Sequence, residues 1–337
     1  LLLDFERKSP GEVVDHAFIQ QKTTGFENYI AQFDALSLDK LADESGVSAA
    51  LLYEAAQQMA FKKRIIICWG MGLTQQPNGV AMVREIVNLL LLKGSIGKPG
   101  AGVCPVRGHS NVQGNRTVLI NEKASDEQLE RLEKHFGFTL SRQKGYSVVH
   151  AIEAMHAEKV KVLFCLGGNF LSATPDTTFT ADAIRRLRLT VMVSTKLNRS
   201  HLVTGREAII LPALSRSDLD IINGEAQFVS TENSMGVVQS SKGMLKPVSD
   251  QLMNELQIVC RLAQATIGHR TKVDWKRFAN SYDAVRDAIE ACIPGFENYN
   301  ERVRLPAGFY LPNCNRQGRF DTDSGKAKFN IATDKPL

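Results

Sequence analysis

Residues 65–72 read Ile65-Ile66-Ile67-Cys68-Trp69-Gly70-Met71-Gly72. The β-branched run at the start of this stretch predicts a strand that is buried on both faces of a parallel sheet. The two glycines predict a turn at the end of that strand. Residues 78–93 then repeat apolar side chains at helical spacing and stop before Gly94, which is typical of a helix that ends on a glycine. A strand, a glycine turn and a helix in this order favour an α/β fold.

The same alternation of helices and strands returns further along the chain. Upstream, the spacing predicts one helix over 37–59. Downstream it predicts a helix that Ser125 and Gln128 cap and Gly137 ends, a helix at 147–158, strands at 160–166, 189–194 and 208–211, a helix at 176–188 between the first two strands, and helices at 249–268 and 275–292. We therefore predict two doubly wound α/β domains, at 1–110 and 111–270, each incomplete, followed by a helical stretch and linker at 271–337.

The composition is typical of a globular protein. The chain has 337 residues, of which 43% are apolar and 23% charged, and this length allows about two domains. Its longest apolar stretch, 86–92, is far shorter than the roughly 20 residues that span a bilayer, so no membrane span is predicted. Forty-one Lys and Arg against 36 Asp and Glu leave a net charge of +5, an excess too small to indicate a nucleic-acid partner.

The cysteines indicate the cellular compartment of the protein, and the chain ends indicate whether it is part of a longer polypeptide. The six cysteines form no CxxC pair, which excludes zinc ribbons and local iron–sulfur motifs. Cys68 and Cys165 lie in apolar runs, where buried thiols are expected. We therefore assign the chain to a reducing compartment, the cytoplasm. Residues 1–5 contain no initiator Met or cleavage signal and residues 335–337 no capping element, so both ends are expected to be cuts from a longer polypeptide.

Three segments follow predicted strands at their carboxyl ends, where α/β sheets bind ligands. They are residues 69–75, 166–170 and 194–201. A single glycine turn serves mainly to reverse the chain, but three at equivalent positions favour a large ligand. In the first segment the third glycine of a dinucleotide fingerprint would fall at Gln75, which disfavours an NAD-dependent dehydrogenase. No P-loop motif is present either.

Two stretches without any carboxylate carry much of the positive charge. Residues 94–116 contain six glycines, two prolines and four basic side chains, counting His109, and cannot be regular throughout. Within them, Arg107 presents a planar fork suited to a carboxylate or phosphate, and His109 is suited to donate a hydrogen bond or move a proton. Residues 183–206 contain six Lys and Arg side chains. For Arg185, Arg186 and Arg188 a solvated helix face is favoured, whereas Lys196 and Arg199 fit either a solvated surface or a pyrophosphate contact.

Taken together, the motifs resemble the molybdopterin oxidoreductases of the dimethyl sulfoxide reductase superfamily, most closely the formate dehydrogenase alpha-subunit-like branch. The matching strings are residues 68–75 (CWGMGLTQ), 97–114 (GKPGAGVCPVRGHSNVQG), 166–170 (LGGNF), 210–212 (ILP) and 320–329 (FDTDSGKAKF). They follow one another in the family's order over nearly the whole chain.

The resemblance implies two molybdopterin guanine dinucleotides on one molybdenum or tungsten, with two-electron redox chemistry at the metal. It assigns cofactor contacts to Trp69, Gly70, Met71, Gly72, Gln75, Gly108, Gly167, Gly168, Asn169, Ser194, Thr195, Lys196 and Asn198. It assigns to Arg107 the orientation of a small anionic substrate, with His109 as its hydrogen-bond or proton partner. Formate enzymes carry glutamine at the position of His109, so formate, nitrate, arsenate and other small oxyanions all remain open as substrates.

The resemblance also implies parts that this chain does not match. In the superfamily, an N-terminal 4Fe–4S segment and a Cys, selenocysteine or Ser that ligates the metal precede the region present here, and a C-terminal β-barrel follows the SGKA motif at 324–327. We therefore expect a central fragment that is inactive alone and an electron-transfer partner for the whole enzyme. A second hypothesis is a non-catalytic module that binds a guanine nucleotide or serves assembly.

Overall fold

The computed structural model describes residues 1–331 and forms a mixed α/β structure, as the sequence predicts. Its contacts divide into two compact units. The first contains residues 1–110 and the segment from Pro312 onward, and the second contains residues 111–311. The separate segment predicted from residue 271 onward is thus shared between the two units, because its helices pack in the second and its final strand pairs in the first.

The first unit is mainly helical. Its α-helices are Leu2–Lys8, His16–Lys22, Phe26–Ala31, Leu38–Ser45, Ala49–Ala60, Met71–Thr74 and Gly79–Leu92, with 3₁₀ turns at Gln32–Ala35 and Asn315–Gln317. Its strands are Thr23–Thr24, Ile66–Trp69, Gly102–Pro105 and Ala327–Lys328. The helix predicted over 37–59 is two helices, because Gly46 adopts a left-handed conformation (φ 69°) after the first and Ser48 caps the second.

Strand Ile66–Trp69 pairs in parallel with Gly102–Pro105. The prediction that this strand is buried on both faces is wrong: Ile66 is 49% exposed, Cys68 is also exposed, and Ile67 and Trp69 are half-buried. Ile66 and Cys68 are two residues apart and so point to the same face of the strand, and that face stays uncovered among the described residues. The expected burial of the Cys68 thiol is wrong for the same reason, and Cys165 is only half-buried.

The segment that carries the SGKA motif contributes to the core of the first unit. Phe329 is buried and stacks on Tyr29, with ring centroids 5.1 Å apart. Ala327–Lys328 pairs in parallel with Thr23–Thr24. The buried amide of Asn88 donates to the Asn330 carbonyl at 2.7 Å and accepts from the Asn330 N–H at 3.1 Å, so a helix side chain satisfies backbone groups of this segment.

The second unit alternates helices and strands. Its α-helices are Val112–Thr117, Asp126–Phe136, Val148–His156, Phe170–Ala173, Thr177–Arg185, Glu255–Ile267, Trp275–Ala279, Tyr282–Cys292 and Tyr299–Arg302, with 3₁₀ turns at Arg199–Leu202 and Gly268–Arg270. Its strands are Val162–Leu166, Leu189–Ser194, Glu207–Pro212, Ile221–Ile222, Glu225–Ala226, Val229–Glu232, Val237–Ser241 and Phe309–Tyr310.

A three-stranded parallel sheet forms the part of this unit that matters for ligands. Its strands are Val162–Leu166, Leu189–Ser194 and Glu207–Pro212, side by side in chain order. All three match predicted strands. Ile152, Met155 and Leu187 belong to the core that the neighbouring helices form beneath the sheet.

Two predicted helices of the second unit have different bounds. The one predicted at 249–268 starts only at Glu255, because the Asn254 side chain accepts a hydrogen bond from the Gln257 N–H and caps it there. The one predicted at 275–292 is interrupted before Tyr282, where Ser281 begins a new helix as its cap. Over residues 1–331, none of the helices has both the length and the apolar character that a membrane crossing requires.

Candidate functional site

In the first unit, two segments leave the same edge of the parallel strand pair. Trp69 lies opposite Pro105 at the carboxyl ends of the two strands. One residue later the Val106 N–H donates to the Trp69 carbonyl at 2.8 Å, which extends the pairing past the strand. The turn at 70–75 and the loop at 107–110 therefore start side by side, as expected for parallel strands.

The turn at 70–75 presents an open backbone. Gly70 is extended (φ −121°, ψ −160°) and precedes the short helix Met71–Thr74. A Cβ added to Gly70 or Gly72 would meet no atom within 4 Å, so neither glycine is required by packing inside the described structure. Gly70, Met71, Gly72 and Gln75 are exposed and Trp69 is half-buried. Such a surface allows close approach of a ligand to the main chain.

The loop that carries Arg107 lies next to this turn. A Cβ on Gly108 would lie 3.5 Å from Cε of Met71, which places the loop against the first glycine turn. Arg107, Gly108 and His109 are all exposed. The structure thus brings both predicted catalytic residues to the sheet edge that carries the predicted contacts at 69–75.

In the second unit, the turn after Val162–Leu166 is built on two left-handed glycines. Gly167 and Gly168 have φ of 73° and 77°, a conformation that other residues adopt only with strain. The Gly167 N–H donates to the Val193 carbonyl of the adjacent strand at 2.9 Å. The Gly168 carbonyl accepts from the Asn198 side chain at 3.0 Å. The glycine turn and the loop after Leu189–Ser194 are therefore joined.

A hydrogen-bond network fixes these two segments. The Ser200 hydroxyl donates to Oδ1 of Asn169 at 2.6 Å and accepts from the Leu171 N–H at 3.0 Å. Oδ1 of Asn198 accepts from the Ser200 N–H at 2.9 Å. The amides of Asn169 and Asn198 are thus already engaged in shaping the site, and buried Ser200 is a site residue that the sequence analysis missed.

His201 also belongs to this hydrogen-bond network. Its Nδ1 accepts from the Asn198 N–H at 3.0 Å, completing a capping box around the 3₁₀ turn. Its Nε2 is a buried side-chain nitrogen without a hydrogen-bond partner among the described residues. The signal for this arrangement was in the sequence, because Asn198 and His201 have the spacing of a capping box.

The remaining predicted residues of this loop face solvent or brace the main chain. The Ser194 hydroxyl donates to the Lys196 carbonyl at 2.8 Å. Thr195, Lys196 and Arg199 are exposed. Arg186, by contrast, pairs with Asp182 at 2.8 Å on its own helix, in keeping with the solvated helix face expected for it.

One acidic group at this edge was not predicted. A Cβ on Gly167 would lie 3.5 Å from Oε1 of Glu255, the first residue of helix Glu255–Ile267. Burial raises the pKa of Glu255. A raised pKa lessens the negative charge that this carboxyl places beside the glycine turn.

These features fit a large phosphate-bearing ligand. Both glycine turns expose main chain at the carboxyl ends of parallel strands, and exposed cations lie in the adjoining loops. Within the described residues no three His, Cys, Asp or Glu side chains come together as a metal site.

Comparison with known proteins identifies the family. Residues 22–251 match the molybdopterin oxidoreductase family. The chain belongs to this family. Membership confirms the resemblance drawn from the motifs and implies a molybdopterin cofactor that carries molybdenum or tungsten.

Several curated proteins are similar in sequence to this chain. An uncharacterized oxidoreductase of Mycobacterium tuberculosis is 50% identical over 98% of this chain and 43% of its own length. Protein YdeP of Escherichia coli is 44% identical over 94% of this chain and 42% of its own length. Formate dehydrogenase H of E. coli is 27% identical over 94% of this chain and 44% of its own length. The chain spans less than half the length of these curated relatives.

A solved structure supports the fold. Acetylene hydratase from Pelobacter acetylenicus superimposes with a TM-score of 0.62 over 97% of this chain and 46% of that chain. At 16% identity this likeness shows a shared fold alone.

Proposed function

We propose that this chain is the central cofactor-binding part of an oxidoreductase that uses two molybdopterin guanine dinucleotides on one molybdenum or tungsten. Its reaction is a two-electron oxidation or reduction of a small anionic substrate, as in formate dehydrogenases. The observation that carries the proposal is the pairing of Trp69 with Pro105, which brings the open Gly70–Gly72 turn and the Arg107 loop to one sheet edge.

The residues that would hold the cofactor belong to two sets. In the first unit they are Trp69, Gly70, Met71, Gly72, Gln75 and Gly108. In the second they are Gly167, Gly168, Asn169, Ser194, Thr195, Lys196 and Asn198. The glycines offer main-chain groups and the Lys196 ammonium offers positive charge, both suited to pyrophosphate and pterin contacts. When bound, the cofactor supplies the metal's two-electron chemistry.

Arg107 is proposed to orient the substrate. Its planar guanidinium can donate two parallel hydrogen bonds to one carboxylate or oxyanion. The stretch 94–116 holds no Asp or Glu, so no carboxylate of this stretch opposes the binding of an anion there. The fixed positive charge also attracts small anions to the site.

His109 is proposed to act beside Arg107 on the substrate. A neutral imidazole carries one N–H donor and one free ring nitrogen, so His109 can donate a hydrogen bond or accept a proton from the substrate at that nitrogen. Both side chains are exposed in this chain.

The relatives' names support the reaction class. One is named formate dehydrogenase and one an oxidoreductase. Because the chain covers 43% of the M. tuberculosis relative, we assign turnover to the longer polypeptide and expect this chain to be inactive alone. We assign to that enzyme a metal-ligating residue and a 4Fe–4S cluster held outside the chain, an electron-transfer partner and a cytoplasmic location.

The test of this proposal is Arg107→Ala in the full-length enzyme. We expect kcat/KM to fall by roughly 100-fold or more, because a positioned charged donor is lost, with molybdenum content unchanged. The control is Arg116→Ala, since Arg116 belongs to the same carboxylate-free stretch of sequence but pairs with Glu122 at 3.4 Å; the activity of this variant should stay at the wild-type level. Full turnover in Arg107→Ala with intact metal content would remove Arg107 from the mechanism.

A further inference from the structure

Two cysteines face each other beneath the first glycine turn. Cys68 and Cys104 are direct partners in the register of the parallel strands Ile66–Trp69 and Gly102–Pro105. Directly paired residues of neighbouring strands point to the same face of a sheet. Burial and the neighbouring Cys68 thiol both raise the pKa of Cys104, so the two side chains lie close together.

The strand geometry suits a covalent bond between them. Neighbouring strands lie about 4.8 Å apart, which falls within the roughly 4.4–6.8 Å between the Cα atoms of disulfide-bonded cysteines. Bond formation therefore requires side-chain rotation rather than movement of the strands.

The two thiols differ in access and acidity. Cys68 is exposed and Cys104 is half-buried. Burial, together with the hydrogen bond and charge of Cys68, raises the pKa of Cys104. Cys68 is therefore the thiol that a solution oxidant reaches first.

The other cysteines lack this arrangement. Cys165 also lies on a parallel strand, but its register partner is Met192. Cys260 and Cys292 are buried, and the half-buried Cys314 donates to the Asn315 side chain at 3.7 Å. Cys165 thus provides a matched control: a strand cysteine without a thiol opposite.

We propose that Cys68 and Cys104 form a reversible redox-modification site that a small disulfide such as oxidised glutathione converts to an intramolecular disulfide. The Cys68 thiolate attacks one sulfur of oxidised glutathione and releases one glutathione thiolate. Cys104 then loses its proton and its sulfur attacks the Cys68 sulfur, releasing the second glutathione. Two protein thiols lose two electrons in total, and one glutathione disulfide becomes two glutathione thiols.

A disulfide between Cys68 and Cys104 would lie directly before the two segments of the candidate site. Cys68 immediately precedes Trp69, and Cys104 is followed by Pro105 and the Val106 N–H that bonds the Trp69 carbonyl. A disulfide would fix the two strands together where the 70–75 turn and the Arg107 loop begin. This inference does not depend on the proposed reaction, because the bond forms whatever the site binds.

The test is peptide mapping of the full chain after exposure of the reduced protein to oxidised glutathione and alkylation of remaining thiols. We expect a linked peptide pair that contains Cys68 and Cys104, reversed by dithiothreitol. In Cys104→Ser, glutathione should remain on Cys68 at roughly tenfold or higher occupancy than in wild type, since the resolving thiol is gone. Cys165→Ser should give the wild-type map.

Two outcomes would overturn the proposal. One is wild-type protein that keeps glutathione on Cys68 without forming the linked peptide pair. The other is glutathione occupancy of Cys68 in Cys104→Ser equal to that of wild type. If Cys104→Ser does not fold, the wild-type map alone decides, since it reports the bond directly.

Discussion

Glu6 shows how the backbone can hold a carboxylate ionised. Its side chain is 12% exposed and accepts hydrogen bonds from the N–H groups of Gly11, Val13 and Val14 and from His16. Burial alone would raise its pKa, but these hydrogen bonds outweigh burial and lower the pKa to about 2. The ionised carboxylate therefore stabilises the connection between the first two helices.

The first prediction concerns acid stability. Because the folded-state pKa of Glu6 lies below its ordinary value of 4.5, its stabilisation is present above about pH 4.5 and is lost as the pH falls toward 2. Glu6→Gln should lower the free energy of unfolding by about 2 kcal/mol at neutral pH and weaken the dependence on pH in this acid range. Urea denaturation at several pH values measures both.

Asp4→Asn is the matched control for Glu6. Asp4 lies on the same helix, but it is 55% exposed, and among the described residues its side chain pairs with Arg7 at the surface. Its removal should change the free energy of unfolding by less than about 1 kcal/mol. Equal losses in the two variants would contradict the role given to Glu6.

The second prediction concerns Asn88, a fully buried amide within helix Gly79–Leu92. Asn88→Ala should lower the free energy of unfolding by about 2–3 kcal/mol, because it leaves the N–H and carbonyl of Asn330 without partners. Thermal or urea unfolding checks this. Asn78→Ala is the control, since Asn78 caps the same helix without a side-chain hydrogen bond and should lose little; a neutral Asn88→Ala would contradict the account.

Among the elements, the two glycine turns allow effects of a substitution on stability to be told apart from effects on ligand binding. Gly168 is left-handed (φ 77°), so Gly168→Ala should cost about 1–2 kcal/mol of stability. Gly72 lies within the helix Met71–Thr74 with open space around it, so Gly72→Ala should keep or slightly raise stability.

The third prediction follows from this contrast. If both turns hold the cofactor, both variants of the full-length enzyme should purify with less molybdopterin per chain, although only Gly168→Ala is less stable. Thermal unfolding and pterin content measure the two effects separately. A Gly72→Ala enzyme with full pterin content would show that the first turn does not need its open backbone.

The sequence predicted elements best where local signals were complete. Strand Leu189–Ser194 has its predicted bounds, and helix Asp126–Phe136 has the predicted cap at Ser125 and end at Gly137. The prediction of one long helix over 37–59 is wrong because Gly46, in a left-handed conformation, ends the first of two helices there. The predicted burial of strand Ile66–Trp69 is wrong because a β-branched run does not report what packs against the two faces of a strand.

Part of the candidate site was also predictable. Parallel strands end at one edge, so the meeting of the 70–75 turn with the Arg107 loop follows from the order of elements. Ser200 and Glu255 were missed because their roles depend on contacts with Asn169 and Gly167, which are distant in sequence. Such contacts arise from tertiary packing and leave no local pattern.

In the whole molecule, the first compact unit combines two stretches that lie far apart in the sequence, residues 1–110 and the segment from Pro312 onward. The motif at 320–329 suggested a passage toward another domain, yet Phe329 lies in the core of the first unit beside Tyr29. The segment from Pro312 onward therefore completes the unit that contains the Arg107 loop. Its contribution was hidden because Asn88 and Asn330 are 242 residues apart.

We propose that the full-length enzyme of this family member holds a bis(molybdopterin guanine dinucleotide) cofactor. The most direct measurement is the metal and nucleotide content of the purified full-length enzyme: molybdenum and tungsten by mass spectrometry, and guanine nucleotide released by acid. We predict one metal atom and two guanine nucleotides per chain. Protein that contains neither metal nor pterin, yet binds a guanine nucleotide or NAD saturably, would contradict the proposed function and favour a non-catalytic nucleotide-binding module or a dehydrogenase.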